Sequence, residues 1–358
     1  MRKCYIDNLR WLILLILIPY HIAQAWNTWN EPNYIFFEGN RLISSIIVFF
    51  SPYFMPLLFL LAGIGTRYAL KKRTGREYLA ERVKRLVIPL LFGTVVLMPV
   101  MTYIADLFHN SYSGGFIQHY AVFFTKFTDL IGADGGFSFG QFWFILYLFI
   151  ISVVSLGIIM LLKKLPLKRE KPIPFLLMLL LGLPLPLLNS LLSIGGKSLA
   201  EFTYFFLLGY YIFSDDGIIE KTEKNRWILL AIGLISTILN VYLFIWSNKD
   251  YNILNTIASF VSKWFMVLAL IGLAKRYLNF SGKVSGHMSK LSFPFYIWHF
   301  IWVVTFQYLL YVLVGNYTLI LFIGTLLLSF IATLICSEIT VRVPFLCFLT
   351  GVKYNKGK

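Results

Sequence analysis

Apolar runs of about eighteen or more residues recur along this chain from one end to the other, and no other feature constrains its fold as tightly. Each run is long enough to cross the roughly 30 Å hydrocarbon layer of a bilayer as a single α-helix. With 58% hydrophobic and 13% charged residues among 358, and a mean hydropathy of +0.75, the chain has the composition of no soluble domain of its length. In lipid, backbone polar groups must find partners inside their own segment, so the runs are helices. The sequence therefore predicts an all-α polytopic membrane protein with about ten transmembrane helices. They fall roughly at 9–26, 42–68, 84–107, 138–162, 173–193, 199–213, 227–247, 252–274, 289–313 and 317–342. The sixth has the weakest bounds, because Glu201 and Gly209 interrupt it.

The basic residues set an expected orientation. If the N-terminus is cytoplasmic, 27 of the 32 lysines and arginines fall in inner segments, at 2–10, 67–85, 163–171, 221–226, 275–290 and 342–358. Arg41, Lys126, Lys197, Lys249 and Lys263 remain, with Lys263 inside a span. The positive-inside rule then puts both termini in the cytoplasm. The same distribution reads the net charge of +16 as membrane orientation, and no nucleic-acid partner is expected. The three cysteines, Cys4, Cys336 and Cys347, imply no disulfide framework. The basic N-terminus is followed by an apolar run with no small-residue cleavage site, so the first span is read as retained.

That first span carries Arg10 at one end and His21 deep inside, with ten residues between them. Eleven helical steps of about 100° return to within about 20° of the starting direction, so both side chains share one face. A histidine at that depth needs a partner or a wet cavity, which marks it as a functional candidate. The alternative is an imidazole satisfied by a neighbouring helix. Pro19, two residues earlier, removes a backbone hydrogen bond and can kink the span. Asp7, one turn from Arg10, can orient it.

Arg82 and Arg85 lie three apart in Glu81-Arg82-Val83-Lys84-Arg85, just before Pro89. Planar guanidinium groups on one face suit phosphate oxygens, although basic residues at an inner helix end also follow from the positive-inside rule alone. Further polar groups at membrane depth are Lys263, His299 after Tyr296-Ile297-Trp298, Glu201, and Gln141 beside Trp143. Together they suggest a wet interior, and interhelical packing is the alternative for His299 and Trp143. The largest outer segment, about 106–137, contains His109, His119, Asp129 and Asp134. It can bind an extracellular partner or simply be a solvated loop, and its histidine spacing matches no metal-ligand pattern, so no metal is expected.

These residues have a familiar arrangement. Tyr5-Ile-Asp-Asn-Leu-Arg10 with His21, then Phe59-Leu-Leu-Ala-Gly63, Arg82-Val-Lys-Arg85 before Pro89, and Phe142-Trp143-Phe144 resemble, in the same order, the membrane acyltransferase-3 family. The likeness extends over essentially the whole chain. It implies a bacterial multi-pass enzyme of the cytoplasmic membrane, transferring acyl groups from cytoplasmic acyl-CoA to carbohydrates at or beyond the outer face. Peptidoglycan and lipopolysaccharide O-acetyltransferases and the glucan-modifying protein C group belong to that family. Some relatives carry an appended extracytoplasmic domain. This chain reaches Lys358 just after its tenth expected span, so residues 1–358 are expected to be a single transmembrane acyltransferase domain with no appended soluble domain.

On this resemblance, the arginines Arg82 and Arg85 hold the anionic head of acyl-CoA, acetyl-CoA foremost and succinyl-CoA next, as a co-substrate, and no cofactor is permanently bound. The thioester reaches His21, which acts as general base on a sugar hydroxyl or accepts the acyl group itself. Arg10 positions the donor, since guanidinium does not give up its proton. Asp7, Trp143, Glu201, Lys263 and His299 are supporting candidates. The competing reading is a transporter or exporter of a saccharide or lipid-linked saccharide, with the intramembrane histidines and Lys263 as a proton relay. Against it, no inverted repeat with matching broken helices is evident, although Pro184 and Pro186 interrupt the fifth span.

Overall fold

The computed structural model describes residues 3–127, 131–162, 173–247 and 252–354. Asp129, Arg2, Lys249, Lys356, Lys358 and the basic residues of 163–171 lie outside the described residues. Among the described residues the regular secondary structure is helical, apart from one two-residue antiparallel pairing of Ser193–Ile194 with Lys197–Ser198. Among the described residues eight helices are long and apolar enough to cross a membrane: Cys4–Trp26 (α1), Arg41–Leu70 (α2), Gly75–His109 (α3), Gly140–Leu162 (α5), Arg226–Trp246 (α9), Ile253–Tyr277 (α10), Lys283–Val314 (α11) and Thr318–Arg342 (α12). Shorter helices are Phe116–Thr125 (α4), Phe175–Ser190 (α6), Leu199–Tyr211 (α7), Asp216–Lys224 (α8) and Pro344–Leu349 (α13). The protein is an all-α polytopic membrane protein.

The fifth and sixth expected spans are the ones that fall short. Segment α6 consists of two six-residue helices, Phe175–Leu180 and Leu185–Ser190, separated by a turn. Pro184 and Pro186 cannot donate backbone hydrogen bonds across that break. Gly182 occupies the turn, where a Cβ would lie 2.6 Å from the Trp264 ring. The thirteen residues of α7 reach only about 20 Å at 1.5 Å per residue, short of the hydrocarbon thickness.

The chain forms two compact units. The first comprises Met1–Trp11, Val48–Arg82 and Tyr147–Ser285. In it the end of α2 meets α7 at backbone distance: a Cβ on Gly63 would stand 1.9 Å from the Phe206 carbonyl oxygen, and one on Gly209 2.1 Å from that of Leu60. Small residues permit this close approach, the usual way membrane helices gain packing where lipid offers no hydrophobic drive. Phe59 and Phe202 stack beside the contact at 4.6 Å. α9 and α10 are joined by the Thr237 and Ser262 hydroxyls at 2.6 Å and by Asn255 donating to Asn240 at 3.1 Å. Asn8 donates from its side chain to the Leu278 and Phe280 carbonyls, capping the end of α10.

The second unit comprises Leu12–Ile47, Val83–Leu146 and Gly286–Lys358. Within it α3 contains two π-helical turns, Val83–Val87 and Gly93–Leu97. Gly93 opens the second, where a Cβ would fall 2.3 Å from the Phe142 ring. Gly140 adopts φ +45° against Met98 and the Tyr34 hydroxyl, a conformation and a clearance that a side chain would forbid. At the far end of α1, Gln307 donates to the Ile22 carbonyl at 3.0 Å, and Trp26 packs on Phe37 at 4.8 Å. α1 runs helical through Pro19.

Candidate active site

His21 lies in the last turn of the α-helical part of α1 and is half-buried. Its ring stacks on Phe300, with centroids 4.1 Å apart and planes inclined by 26°. Tyr20 meets its edge at 5.3 Å, and the imidazole of His299 lies 5.2 Å away. Tyr34 meets Phe300 edge-on at 5.4 Å. Two histidines 278 positions apart in sequence thus meet in one aromatic cluster of the second unit.

His299 and Tyr296 stand one turn apart on α11, and His299 is completely buried. Its Nδ1 is 2.6 Å from the Tyr296 carbonyl oxygen. A carbonyl can only accept, so Nδ1 carries the proton and the neutral ring keeps its lone pair on Nε2. That Nε2 has no hydrogen-bond partner among the described residues. The Tyr296 hydroxyl donates to the Gln141 carbonyl, tying α11 to the start of α5. The side-chain amide of Gln141, buried as well, leaves both its oxygen and nitrogen without partners among the described residues. Each buried polar group left unmade costs about 1–3 kcal/mol, so such a concentration in an apolar core calls for a functional explanation.

Of the other expected site residues, Asp7, Arg10, Arg82, Glu201 and Lys263 belong to the first unit and Arg85 and Trp143 to the second. In the first unit Arg10 contacts Asp7 across 3.4 Å. Lys263 and Glu201 form a buried ion pair at 2.6 Å in that unit. Arg82, at the C-terminal end of the α-helix Gly75–Arg82, lies over the Tyr78 ring at 4.8 Å and donates to Thr66 at 3.3 Å. Arg85 is exposed in the π-turn that follows. Trp143 is half-buried in the second unit, edge-on to Phe144 at 6.3 Å.

In segment 106–127, His109 donates from Nε2 to the Asn33 carbonyl at 2.8 Å. His119 is buried between the rings of Tyr103 and Tyr112, with Nε2 3.4 Å from Asp106. Burial pushes the His119 imidazole below its ordinary pKa of 6.5, while Asp106 pulls the other way. Among the described residues no group of three or more His, Cys, Asp or Glu could hold a metal ion. Sequence reasoning missed Phe300 and Tyr34, because in a chain with 18% aromatic residues nothing marks two rings as the walls around one imidazole.

The model of the acyltransferase-3 family, an acyltransferase domain, matches residues 4–338, and the chain belongs to that family of membrane acyltransferases. It is similar to glucans biosynthesis protein C from Salmonella schwarzengrund (strain CVM19633) and from Salmonella paratyphi B. Each is 25% identical over 388 residues, covering 98% of this chain and 95% of the relative. No solved structure matches the chain.

Proposed function

We propose that this acyltransferase takes an acyl group, acetyl foremost, from cytoplasmic acyl-CoA and places it on a hydroxyl of a cell-envelope carbohydrate, with His21 at the reacting centre. The observation that carries this reading is the half-buried His21 ring in contact with Phe300, Tyr20 and His299. In such surroundings an imidazole is held in one orientation, and charge developing on it is poorly screened by water. The acceptor oxygen attacks the thioester carbonyl while His21 takes the hydroxyl proton, and the C–S bond breaks to release CoA. In the two-step variant the acyl group first moves to the imidazole and then to the hydroxyl.

Arg82 and Arg85 bind the phosphates of the donor in this scheme, and Arg10, steadied by Asp7, positions the thioester. The enzyme works in the cytoplasmic membrane with both termini inside, residues 1–358 acting as one transmembrane acyltransferase domain that needs no permanently bound cofactor. The relatives' name makes a glucan the first acceptor to try. The test uses purified protein in nanodiscs with radiolabelled acetyl-CoA and a glucan oligosaccharide. His21→Ala and His21→Gln are expected to remain folded and to lose at least about 10²-fold in turnover. Near-normal turnover in either variant overturns the assignment, and movement of label across the bilayer without chemistry supports a carrier instead.

A further inference from the structure

His299 is deeper than His21 and fully buried, so it is not placed to touch a substrate itself. Its Nδ1–H is committed to the Tyr296 carbonyl, and its Nε2 lone pair has no donor among the described residues. The imidazole of His21, 5.2 Å away between ring centroids, carries an N–H that can supply one. Two imidazoles joined by a nitrogen–nitrogen hydrogen bond of about 2.9 Å have centroids about 5 Å apart. The observed centroid separation of His21 and His299 is 5.2 Å, with the planes 39° apart, which is the spacing such a bond requires.

We propose that His299 is the positioning residue for His21: its Nε2 accepts the inner N–H of His21 and so fixes the outer nitrogen as the lone pair that meets substrate. The proposal rests on His21 being the reacting base or acyl acceptor. In the one-step route the hydroxyl O–H bond breaks and its proton goes to the outer nitrogen of His21. The C–S bond then breaks and the departing thiolate takes that proton. His299 gains and loses no proton; it holds one tautomer and spreads the imidazolium charge. A base oriented by a third group is the general arrangement of nucleophilic sites.

Two substitutions separate this role from simple packing. His299→Asn keeps an amide N–H near the Nδ1 position and can still donate to Tyr296, but has nothing at Nε2. His299→Gln can place its amide oxygen there as an acceptor. With radiolabelled acetyl-CoA and a glucan oligosaccharide, His299→Asn is expected to lose about 10- to 100-fold in kcat at unchanged KM for acetyl-CoA and nearly unchanged Tm, with substantial recovery in His299→Gln. A second readout needs no acceptor. Carbethoxylation of His21 by diethyl pyrocarbonate, followed by peptide mass spectrometry, is expected to slow about tenfold in His299→Asn and recover in His299→Gln. Equal His21 reactivity in all three proteins overturns the proposal, as does a loss of kcat in both variants that tracks a falling Tm. If His21→Ala is inactive while His299→Asn behaves as wild type, only this inference fails; if His21→Ala stays active, the underlying functional reading fails instead.

Discussion

Replacing Lys263 with methionine tests what the buried ion pair of the first unit is for. Its Nζ is 2.6 Å from Glu201 Oε1, with only 11% of the lysine side chain and 2% of the glutamate side chain exposed. The second carboxylate oxygen, Oε2, has no partner among the described residues, so the ammonium is the main compensation for the buried charge. Breaking a buried pair by removing one partner typically costs about 3–5 kcal/mol, whereas replacing both by apolar groups is often neutral or stabilising. Lys263→Met is therefore expected to lower the Tm steeply. The double variant Lys263→Met with Glu201→Leu should recover most of the loss. Thermal unfolding in nanodiscs, arranged as a double-mutant cycle, measures the coupling. A Lys263→Met protein as stable as wild type, or strictly additive single effects, refutes the reasoning. A well-folded double variant that cannot transfer acyl groups would move the pair into the substrate site.

Gly63→Ala and Gly209→Ala each put a Cβ within about 2 Å of a facing carbonyl oxygen, so each is expected to cost about 1–3 kcal/mol or more; a Tm unchanged in both shows that these helices are not in backbone contact. A cysteine at Lys72 should resist a membrane-impermeant maleimide in intact cells, and rapid labelling there reverses the proposed orientation and removes the argument for cytoplasmic donor entry. Arg82→Ala and Arg85→Ala are expected to weaken binding of a non-hydrolysable CoA analogue, each by about 1.5–3 kcal/mol if a charge-assisted phosphate contact is lost, with lysine rescuing only in part. Unchanged affinity by calorimetry in both variants leaves them as determinants of orientation.

Much of the architecture was legible because hydropathy reports length and lipid exposure directly. The eight long helices lie close to the apolar runs that forecast them. The fifth and sixth runs misled for a local reason: 173–193 is apolar throughout much of its length, yet Gly182, Pro184 and Pro186 divide it, and the helix at 199–211 stops after thirteen residues. Composition records the first property and conceals the second. The π-turns of α3 were equally hidden, since a single extra residue per turn leaves the hydropathy of the run unchanged.

The site divides along the same physical line. Asp7 with Arg10 is a local pair, and helical spacing was enough to foresee it. His21 and His299 could each be singled out because an imidazole in an apolar run is costly, but their meeting depends on a fold that joins residues 278 positions apart. The short motifs also separate into chemistry and packing. Gly63 ends Phe59-Leu-Leu-Ala-Gly63 because Phe206 leaves no space for a Cβ, and Phe142 in Phe142-Trp143-Phe144 fills the space that Gly93 vacates. Neither role needs a substrate. A change at Gly63 or Phe142 should therefore damage stability and transfer together, whereas His21→Gln should damage transfer alone. That contrast distinguishes a residue kept for helix contact from one kept for reaction.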